Sequence, residues 1–408
     1  MKTAKHKPEL LSPAGDWPSL SAAIENGADS VYFGIKKINM RHQASNFDLL
    51  ELPKIMNLLH RHYKKGYLAL NVIIKNKELA KVKQILTAAK EAKVDAIILW
   101  DLAVLAIARE MGLNVHISTQ ASVANIHALE QYAQLGAQRV ILARECTLFD
   151  IRQMIKKRDH KNLTCEIESF IHGAMCVSVS GRCFMSLWSH NKSANKGACT
   201  QPCRREYFIQ DRENEVQFVL GQDYILSPKD LCTIDFFDAL MESEIDSFKI
   251  EGRMRSPEYI KITTAVYRKA IDAYAKGKWN QTLAANSKEQ LKTVYNRGFS
   301  SGFYFGRPQE PVSRSLGHLY EKVYVGDVTR FFKKIQVAEL KVKAMPLSVG
   351  ATIIFIGKTT PASTLKIKEM QVEHRPIQQA CKGQSVGIKL PFVVKPRDKV
   401  FIWKEKKV

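Results

Sequence analysis

Short apolar runs alternate with amphipathic stretches over the first 275 residues of this chain. Residues with helical apolar spacing, for example at 79–93 and 128–135, lie between most of the runs, and several such stretches end at glycine. This alternation predicts a parallel sheet, and eight units over about 250 residues predict a (β/α)8 TIM-like barrel. An open doubly wound sheet is the rival, but no Gly-x-Gly-x-x-Gly follows the first run. The predicted strands are residues 9–12, 30–34, 68–74, 96–101, 116–119, 139–144, 165–171 and 247–251.

Polar side chains stand at or just after the ends of these predicted strands. In a (β/α)8 barrel the carboxyl ends of the strands form the active site, so we expect a site among them. Each residue also has a structural alternative, because helix caps, barrel layers and ion pairs use the same side chains. The predicted catalytic residues are Glu168, His172, Glu251 and Arg253, and the predicted substrate-binding residues are Asn71, Asp101, Gln120 and Arg144.

The pattern changes after residue 317 to short alternating strands separated by turns. Six of them are predicted, at 323–328, 335–342, 352–356, 364–370, 385–390 and 399–403, which is typical of a small all-β barrel. We therefore predict a barrel domain at 1–280, a connector at 281–317 and a β-domain at 318–408. The barrel carries a cysteine-rich insertion at 172–232, directly after its seventh strand.

The charge of the chain points to a polyanionic partner. The 408 residues carry a net charge of +22, and residues 318–408 hold 18 Lys+Arg against 7 Asp+Glu, so nucleic acid is the first candidate. A generally lysine-rich proteome is the alternative. The basic first residues lead into no apolar segment, and no apolar run approaches the roughly 20 residues that span a bilayer. We expect a cytoplasmic protein without a membrane partner, whose clustered thiols bind a metal or act in catalysis.

Five of the eight cysteines lie between residues 176 and 232. Their spacing is Cys176-x6-Cys183-x15-Cys199-x3-Cys203, with Cys232 farther along. Structural zinc sites pair ligands two to four residues apart, which only Cys199 and Cys203 satisfy. An iron–sulfur cluster is larger than an ion and tolerates wider spacing. Spacing alone therefore favours an iron–sulfur cluster, with zinc and redox-active or free thiols as alternatives.

Several motifs, in order along the whole chain, resemble those of the collagenase-like peptidase family. They are ELLSPAGD (9–16), HGAMC (172–176), SGRC (180–183), GACTQPCR (197–204), SPKDLC (227–232), KIEGRM (249–254) and GQSVGIK (383–389). Despite the family label, the resemblance implies a hydroxylase of RNA or of quinone precursors. It also implies a 4Fe-4S cluster held by Cys176, Cys183, Cys199 and Cys232, with Cys203 outside the ligand set.

The tail resembles the elongation-factor-like β-barrel of the tRNA-hydroxylating members, so RNA binding is implied for 318–408. The implied activity is hydroxylation of carbon 5 of the anticodon wobble uridine in tRNA, with prephenate as co-substrate or oxygen source. The partner is then tRNA and not DNA. An anticodon base is already single-stranded, so moving it into a pocket costs little.

Three other functions stay open. Ribosomal RNA (cytidine) or a quinone precursor is an alternative substrate, although the quinone-directed relatives lack the final β-domain. A collagenase-like protease needs a nucleophile dyad or a metal site, and the sequence has no His-Glu-x-x-His or Gly-x-Ser-x-Gly. A non-enzymatic RNA-binding protein could use the cluster only to staple a loop. The three other cysteines, Cys146, Cys165 and Cys381, are expected to be ordinary small buried residues.

Overall fold

Eight parallel strands form a closed barrel in the amino-terminal part of the chain. The computed structural model describes residues 7–36, 38–205, 207–210, 217–220, 228–306 and 320–405, with the backbone alone at 207–210 and 217–220. The first seven barrel strands are β1 (Glu9–Ala14), β2 (Ser30–Phe33), β3 (Lys65–Ala69), β4 (Ala96–Leu99), β5 (Val115–Ile117), β6 (Arg139–Ile141) and β7 (Glu166–Gly173).

An insertion with little helix separates the seventh strand from the eighth. It contains β8 (Tyr207–Gln210), β9 (Gln217–Leu220) and β10 (Asp230–Cys232). The eighth barrel strand, β11 (Ser247–Ile250), then pairs in parallel with both β7 and β1 and closes the ring. The predicted TIM-like barrel with an insertion after strand 7 is confirmed. Part of the insertion, 206, 211–216 and 221–227, lies outside the described residues, and this includes the first residue of the SPKDLC motif.

The described residues contain ten α-helices, and most of them cover the outside of the barrel. They bury one apolar side each, as α2 does with Ile55, Met56 and Leu59. Five of them begin at a side-chain cap, for example α1 at Asp16, whose side chain accepts a hydrogen bond from the Ser19 amide at 2.9 Å. The helices are α1 (Trp17–Glu25), α2 (Leu52–Arg61), α3 (Leu79–Glu91), α4 (Leu102–Glu110), α5 (Ile126–Gln134), α6 (Leu148–His160), α7 (Met185–His190), α8 (Phe237–Met241), α9 (Pro257–Ala275) and α10 (Gln281–Lys292).

Single turns of 3-10 helix lie in the loops at Leu49–Glu51, Asn76–Glu78, Thr119–Ala121, Val179–Gly181, Ala194–Lys196, Pro202–Arg204 and Ile234–Phe236. The predicted connector, 281–317, contains α10, whose Leu291 is buried in the barrel core, and strand β12 (Phe299–Ser300), which pairs with β10. Residues 307–317 of that connector lie outside the described residues.

The carboxyl-terminal part is an antiparallel β-structure around its own apolar core, built from residues such as Val325, Leu340 and Phe355. Its main sheet has eight strands, with β13 at the centre of the longest ladders, and it resembles a half-barrel. The strands are β13 (Tyr320–Phe332), β14 (Val337–Val342), β15 (Leu347–Ser348), β16 (Thr352–Ile356), β17 (Ser363–Lys366), β18 (Met370–Val372), β19 (Arg375–Ile377), β20 (Gln379–Ala380), β21 (Ser385–Lys389) and β22 (Lys399–Glu405).

This β-structure contacts the outer helices of the barrel. Lys261 Nζ on α9 donates to the Ala362 carbonyl at 2.6 Å, and Lys322 pairs with Glu258 at 3.0 Å. Lys358 lies 5.3 Å from the centre of the Trp17 ring of α1. Within the described ranges, no helix is both long and apolar enough to span a bilayer.

Candidate active site

A cavity of about 360 Å³ opens at the carboxyl ends of the barrel strands. Ala69, Ile98 and Ile141 form part of its floor at the ends of β3, β4 and β6. Its roof is the part of the insertion at 176–205, which we call the cysteine segment. The site predicted at the strand ends is therefore a real cavity, with the cysteine segment folded over it.

Four thiols of the cysteine segment line this cavity: Cys176, Cys183, Cys199 and Cys203. Burial raises the pKa of Cys203, Arg204 opposes that rise, and the three other thiols add to it, so each of the three lies close enough to affect Cys203. In the described part of the chain, no three Cys, His, Asp or Glu side chains converge as they would around one metal ion. The thiols therefore surround a space and do not meet at a point.

Cys232 lies apart from this group. It is buried in β10 opposite His172, and the Tyr267 hydroxyl approaches its sulfur at 3.8 Å. Burial raises its pKa to about 11. Cys203, which the resemblance leaves outside the ligand set, thus shares the cavity, whereas Cys232, the implied fourth ligand, is absent from its lining. The ligand set itself stays a prediction.

Backbone amides donate to two of the cavity sulfurs. The Met185 amide donates to Cys183 Sγ at 3.3 Å, and the Gln201 amide donates to Cys199 Sγ at 3.4 Å. Each donor is two residues beyond its cysteine, and Gln201 holds a left-handed backbone conformation (φ 55°). Amide donors of this kind stabilise negative charge on sulfur and tune a bound cluster. The loop geometry suits thiolates.

A single carboxylate, Glu251, stands among three arginines inside the cavity. Arg41 Nη2 contacts it at 2.8 Å and Arg144 Nη2 at 3.9 Å. Burial alone would raise the pKa of Glu251, but the guanidinium charges of Arg41 and Arg144 outweigh it and hold the pKa at about 2. The group is therefore ionised at neutral pH and is a weak base.

The third arginine, Arg253, is almost fully buried, and its Nη1 has no hydrogen-bond partner among the residues that the structure describes. Two glycines make room for it. A Cβ at Gly15 would lie 2.0 Å from the Arg253 carbonyl oxygen, and a Cβ at Gly34 would lie 2.3 Å from Arg253 Nη1. Burial lowers the pKa of Arg253 to about 10, so it stays charged at neutral pH. An unpartnered buried donor with a positive charge is suited to an anionic ligand.

A second arginine group lies on the same cavity and consists of Arg204, Arg255 and Arg297. Asp230 balances part of its charge, at 3.2 Å from Arg255 Nη2 and 2.9 Å from Arg297 Nη1. The Tyr295 ring lies under Arg255 at 4.4 Å. Because three cations face one carboxylate, this wall of the cavity is positive overall.

Five of the eight predicted polar residues line the cavity: Asn71, Gln120, Arg144, Glu251 and Arg253. Asn71 Nδ2 donates to Gln120 Oε1 at 3.2 Å and to Ser118 Oγ at 3.2 Å. The two amide side chains thus hold one another in place at the ends of β3 and β5. They form a polar ledge that can both donate and accept hydrogen bonds.

The other three predicted residues do not line the cavity. Asp101 caps α4, accepting from the amides of Ala103 and Val104, so its role is structural. Glu168 is fully buried in the barrel and bonds Lys249 at 2.8 Å, so it supports the cavity floor from below. We assign neither residue a direct contact with a ligand.

His172 faces away from the cavity because β7 contains a bulge. Lys249 pairs with Phe170, but the next residue of β11, Ile250, pairs with His172, so one residue of β7 is skipped. A bulge of this kind re-aims the following side chain. The His172 ring lies among Tyr259, Tyr267 and Phe299 on the outer side, and burial lowers its pKa to about 3. His172 therefore does not line the cavity, and its catalytic role stays a prediction.

Sequence reasoning missed several cationic residues of the cavity. Arg41 lies seven residues beyond the end that was predicted for the second strand, and Lys249 lies inside the eighth strand. Arg255 and Arg297 lie in loops far apart in the sequence. The run EGRMR at 251–255 was the one available signal, because two arginines there follow a barrel strand. Of the three cysteines expected to be buried, Cys146 and Cys165 are, but Cys381 is exposed.

The chain is similar to known proteins over most of its length. The profile of peptidase family U32 matches residues 15–314. A collagenase of Porphyromonas gingivalis W83 is 39% identical, with 96% of this chain and 97% of the relative covered. An uncharacterized protease of Methanocaldococcus jannaschii is 41% identical, covering 97% and 98%. The tRNA hydroxylation protein P1 of Bacillus subtilis is 35% identical, covering 82% and 80%.

Proposed function

The chain belongs to peptidase family U32, and from that premise we propose that it is an RNA-modifying hydroxylase. The observation that carries the proposal is the combination of side chains around one cavity. Four thiols line it together with seven cationic side chains and one carboxylate, Glu251. The cationic residues are Arg41, Arg144, Arg204, Lys249, Arg253, Arg255 and Arg297. Thiols suit a redox-active cluster and the cations suit a polyanion. The name of the Bacillus subtilis relative supports the same activity.

Protease activity, which the names of two relatives suggest, fits the cavity poorly. A cysteine or serine nucleophile needs a neighbouring base. No histidine belongs to the described residues that line the cavity, and its carboxylate, Glu251, has a pKa of about 2. Among the described residues of the lining, a nucleophile would therefore find neither a histidine nor a basic carboxylate to take its proton.

The substrate that we propose is tRNA, modified at carbon 5 of the anticodon wobble uridine. The polar ledge of Asn71 and Gln120 offers amide donors and acceptors to the edge of one uracil base. The arginine wall formed by Arg204, Arg255 and Arg297 offers charge to its phosphates. Ribosomal RNA with a cytidine target remains the alternative, since the same amide ledge can serve either pyrimidine.

We propose that a 4Fe-4S cluster is held by Cys176, Cys183, Cys199 and Cys203. Thiol chemistry and number fit such a cluster, the sulfurs line a space larger than one ion, and backbone amides point at two of them. Cys232 is not part of this proposal because it does not line the cavity. When bound, the cluster would supply redox chemistry next to the base.

We propose that the three arginines around Glu251, namely Arg41, Arg144 and Arg253, bind a carboxylate metabolite, with prephenate as the candidate. Replacing C5–H by C5–OH is a two-electron oxidation that adds one oxygen atom, so a co-substrate or oxygen source is required. Arg253 supports this role because its buried Nη1 has no partner within the structure described. A carboxylate there would accept a charge-assisted hydrogen bond, while Arg41 holds Glu251 in place.

Nucleoside mass spectrometry tests the proposed activity. In a strain that lacks this protein and any redundant enzyme, 5-hydroxyuridine-type nucleosides should disappear from purified tRNA. Wild-type protein should restore them, whereas Arg253→Met should not. Loss of 5-hydroxycytidine from ribosomal RNA, with unchanged tRNA, would instead support the alternative substrate. Unchanged nucleosides in both RNA fractions would contradict the proposal.

A further inference from the structure

Helix α7 turns its apolar side toward solvent. Phe184, Leu187 and Trp188 occupy positions i, i+3 and i+4, which share one side of a helix and usually face a core. Here all three are exposed, and Trp188 is 86% exposed. Burying such side chains usually stabilises a folded protein. The fold leaves three neighbouring apolar side chains exposed, and an exposed apolar patch of this kind usually marks a binding surface.

The cavity explains why the helix has this orientation. Cys183, Met185 and Ser186 line the cavity, and the buried Ser186 hydroxyl contacts Cys199 Sγ at 3.7 Å. The thiol side of the helix must face inward, so the intervening Phe184 and the following Leu187 and Trp188 face outward. The exposed apolar surface therefore stands directly beside the mouth of the site, on the same short segment as one of the thiols.

The charge around this surface selects its partner. The cysteine segment contains no aspartate or glutamate, and its charged residues are Arg182, Lys192, Lys196, Arg204 and Arg205. Lys192 and Arg205 are exposed. A second copy of this chain would bring two such basic segments together, which is unfavourable. A single-stranded nucleic acid supplies unpaired bases, on which aromatic rings stack, and phosphates, whose charge the cations neutralise.

We infer that Phe184, Leu187 and Trp188 form a stacking platform for unpaired bases of the RNA substrate. This inference rests on the proposed function and deepens it. One base enters the cavity, while a neighbouring base stacks on Trp188 and the backbone between them passes exposed cations such as Lys192. The platform would then favour single-stranded loops over duplex RNA without reading their sequence.

The test is RNA binding by the full-length protein, purified anaerobically with its iron. The probes are a fluorescein-labelled oligouridine of about ten nucleotides and a duplex RNA of similar length. Trp188→Ala should weaken single-strand binding roughly 5- to 150-fold, the value of one stacked base. Trp188→Phe should retain most of the affinity. Duplex binding should stay unchanged in both variants.

Tyr63→Asn is the matched control. Tyr63 is also an exposed aromatic residue, but it follows the end of α2 at the opposite end of the barrel. The Tyr63→Asn variant should bind both RNAs as wild type does. Lys192→Met should lower the slope of log affinity against log salt by about one, whereas Trp188→Ala should leave that slope unchanged. This separates stacking from charge.

Four results would overturn the platform. The first is wild-type affinity of Trp188→Ala for the single strand, and the second is an equal loss for single strand and duplex. The third is an oligomer that dissociates in Trp188→Ala, which would assign the surface to self-association. The fourth is loss of iron in Trp188→Ala, measured in each variant, which would make the residue structural. If the wild-type protein hydroxylates RNA but Trp188→Ala binds the single strand as well as wild type does, only the platform is refuted. If Trp188→Ala weakens single-strand binding but the wild-type protein does not hydroxylate RNA, only the proposed function is refuted.

Discussion

Replacing Cys203 and Cys232 separately should produce opposite defects. Cys203 shares the cavity with three other thiols, whereas Cys232 is buried in β10 against the outer side of β7. If the cavity thiols hold the cluster, Cys203→Ala removes a ligand and Cys232→Ala removes only a packing atom. The two substitutions delete the same sulfur, which makes each a control for the other.

The magnitudes follow from the two environments. A 4Fe-4S cluster needs about four thiolate ligands, so Cys203→Ala should reduce iron from about four atoms per chain to less than one. Cys203 is half-buried in a loop, and its loss should change the stability of the iron-free protein little. Cys232 is 2% exposed, so its sulfur leaves a small void that costs about 1 kcal/mol, a fall of about 2 °C in Tm.

The assay is anaerobic purification followed by iron and sulfide analysis, visible absorption and thermal unfolding of iron-free protein. Cys203→Ala should be colourless with a near wild-type Tm, and Cys232→Ala should be brown with a lower Tm. Loss of iron in Cys232→Ala together with full iron in Cys203→Ala would refute the reasoning and restore the ligand set implied by the resemblance. Stoichiometric zinc without iron or sulfide in the wild type would end the cluster proposal.

Three further experiments test the supporting structure. Gly197→Ala should destabilise the protein by about 1–3 kcal/mol and lower iron content, because Gly197 has φ 82° and its Cβ would lie 2.0 Å from a backbone oxygen; Gly112→Ala, at φ 70° with open space, should cost only about 1 kcal/mol, and equal effects would exclude the contact as the cause. Burial lowers the pKa of His116, so the folded state binds its proton less well than the unfolded state does. The free energy of unfolding should therefore fall by about 1.4 kcal/mol for each pH unit below 6.5 because of His116. In chemical unfolding, His116→Leu should lose less stability than wild type between pH 7.5 and pH 5.5. Glu168→Leu should cost about 3–5 kcal/mol because it leaves Lys249 charged and buried, and adding Lys249→Met should recover much of that loss; a strictly additive double variant would contradict the pairing.

Much of the barrel could be predicted because its signals are local. Most predicted strands overlap the observed ones, since each is a short apolar run bounded by polar or glycine residues. The third strand was predicted too late, at 68–74 in place of Lys65–Ala69. Leu70 and Val72 continue the apolar run and are buried, but they lie in the loop that follows the strand. Burial without strand pairing has no separate signature in a sequence.

The candidate site was predictable only in part. Strand ends predicted Asn71, Gln120, Arg144, Glu251 and Arg253 at the cavity, because parallel strands bring their carboxyl ends together. The same argument placed Asp101, Glu168 and His172 there wrongly. It counts positions along a strand and does not include caps, depth in the barrel or bulges.

By itself, the sequence determined the alternation of strands and helices, the positive charge and the concentration of thiols in one insertion, because composition and periodicity are properties of the chain. Which thiols line one cavity depends on the tertiary structure. Cys203 joins the cavity and Cys232 does not, since the path of the loop sets the distances between sulfurs. Likewise, His172 turns outward because β7 skips a residue against β11. Such choices depend on pairing between distant segments, which no single stretch of sequence contains.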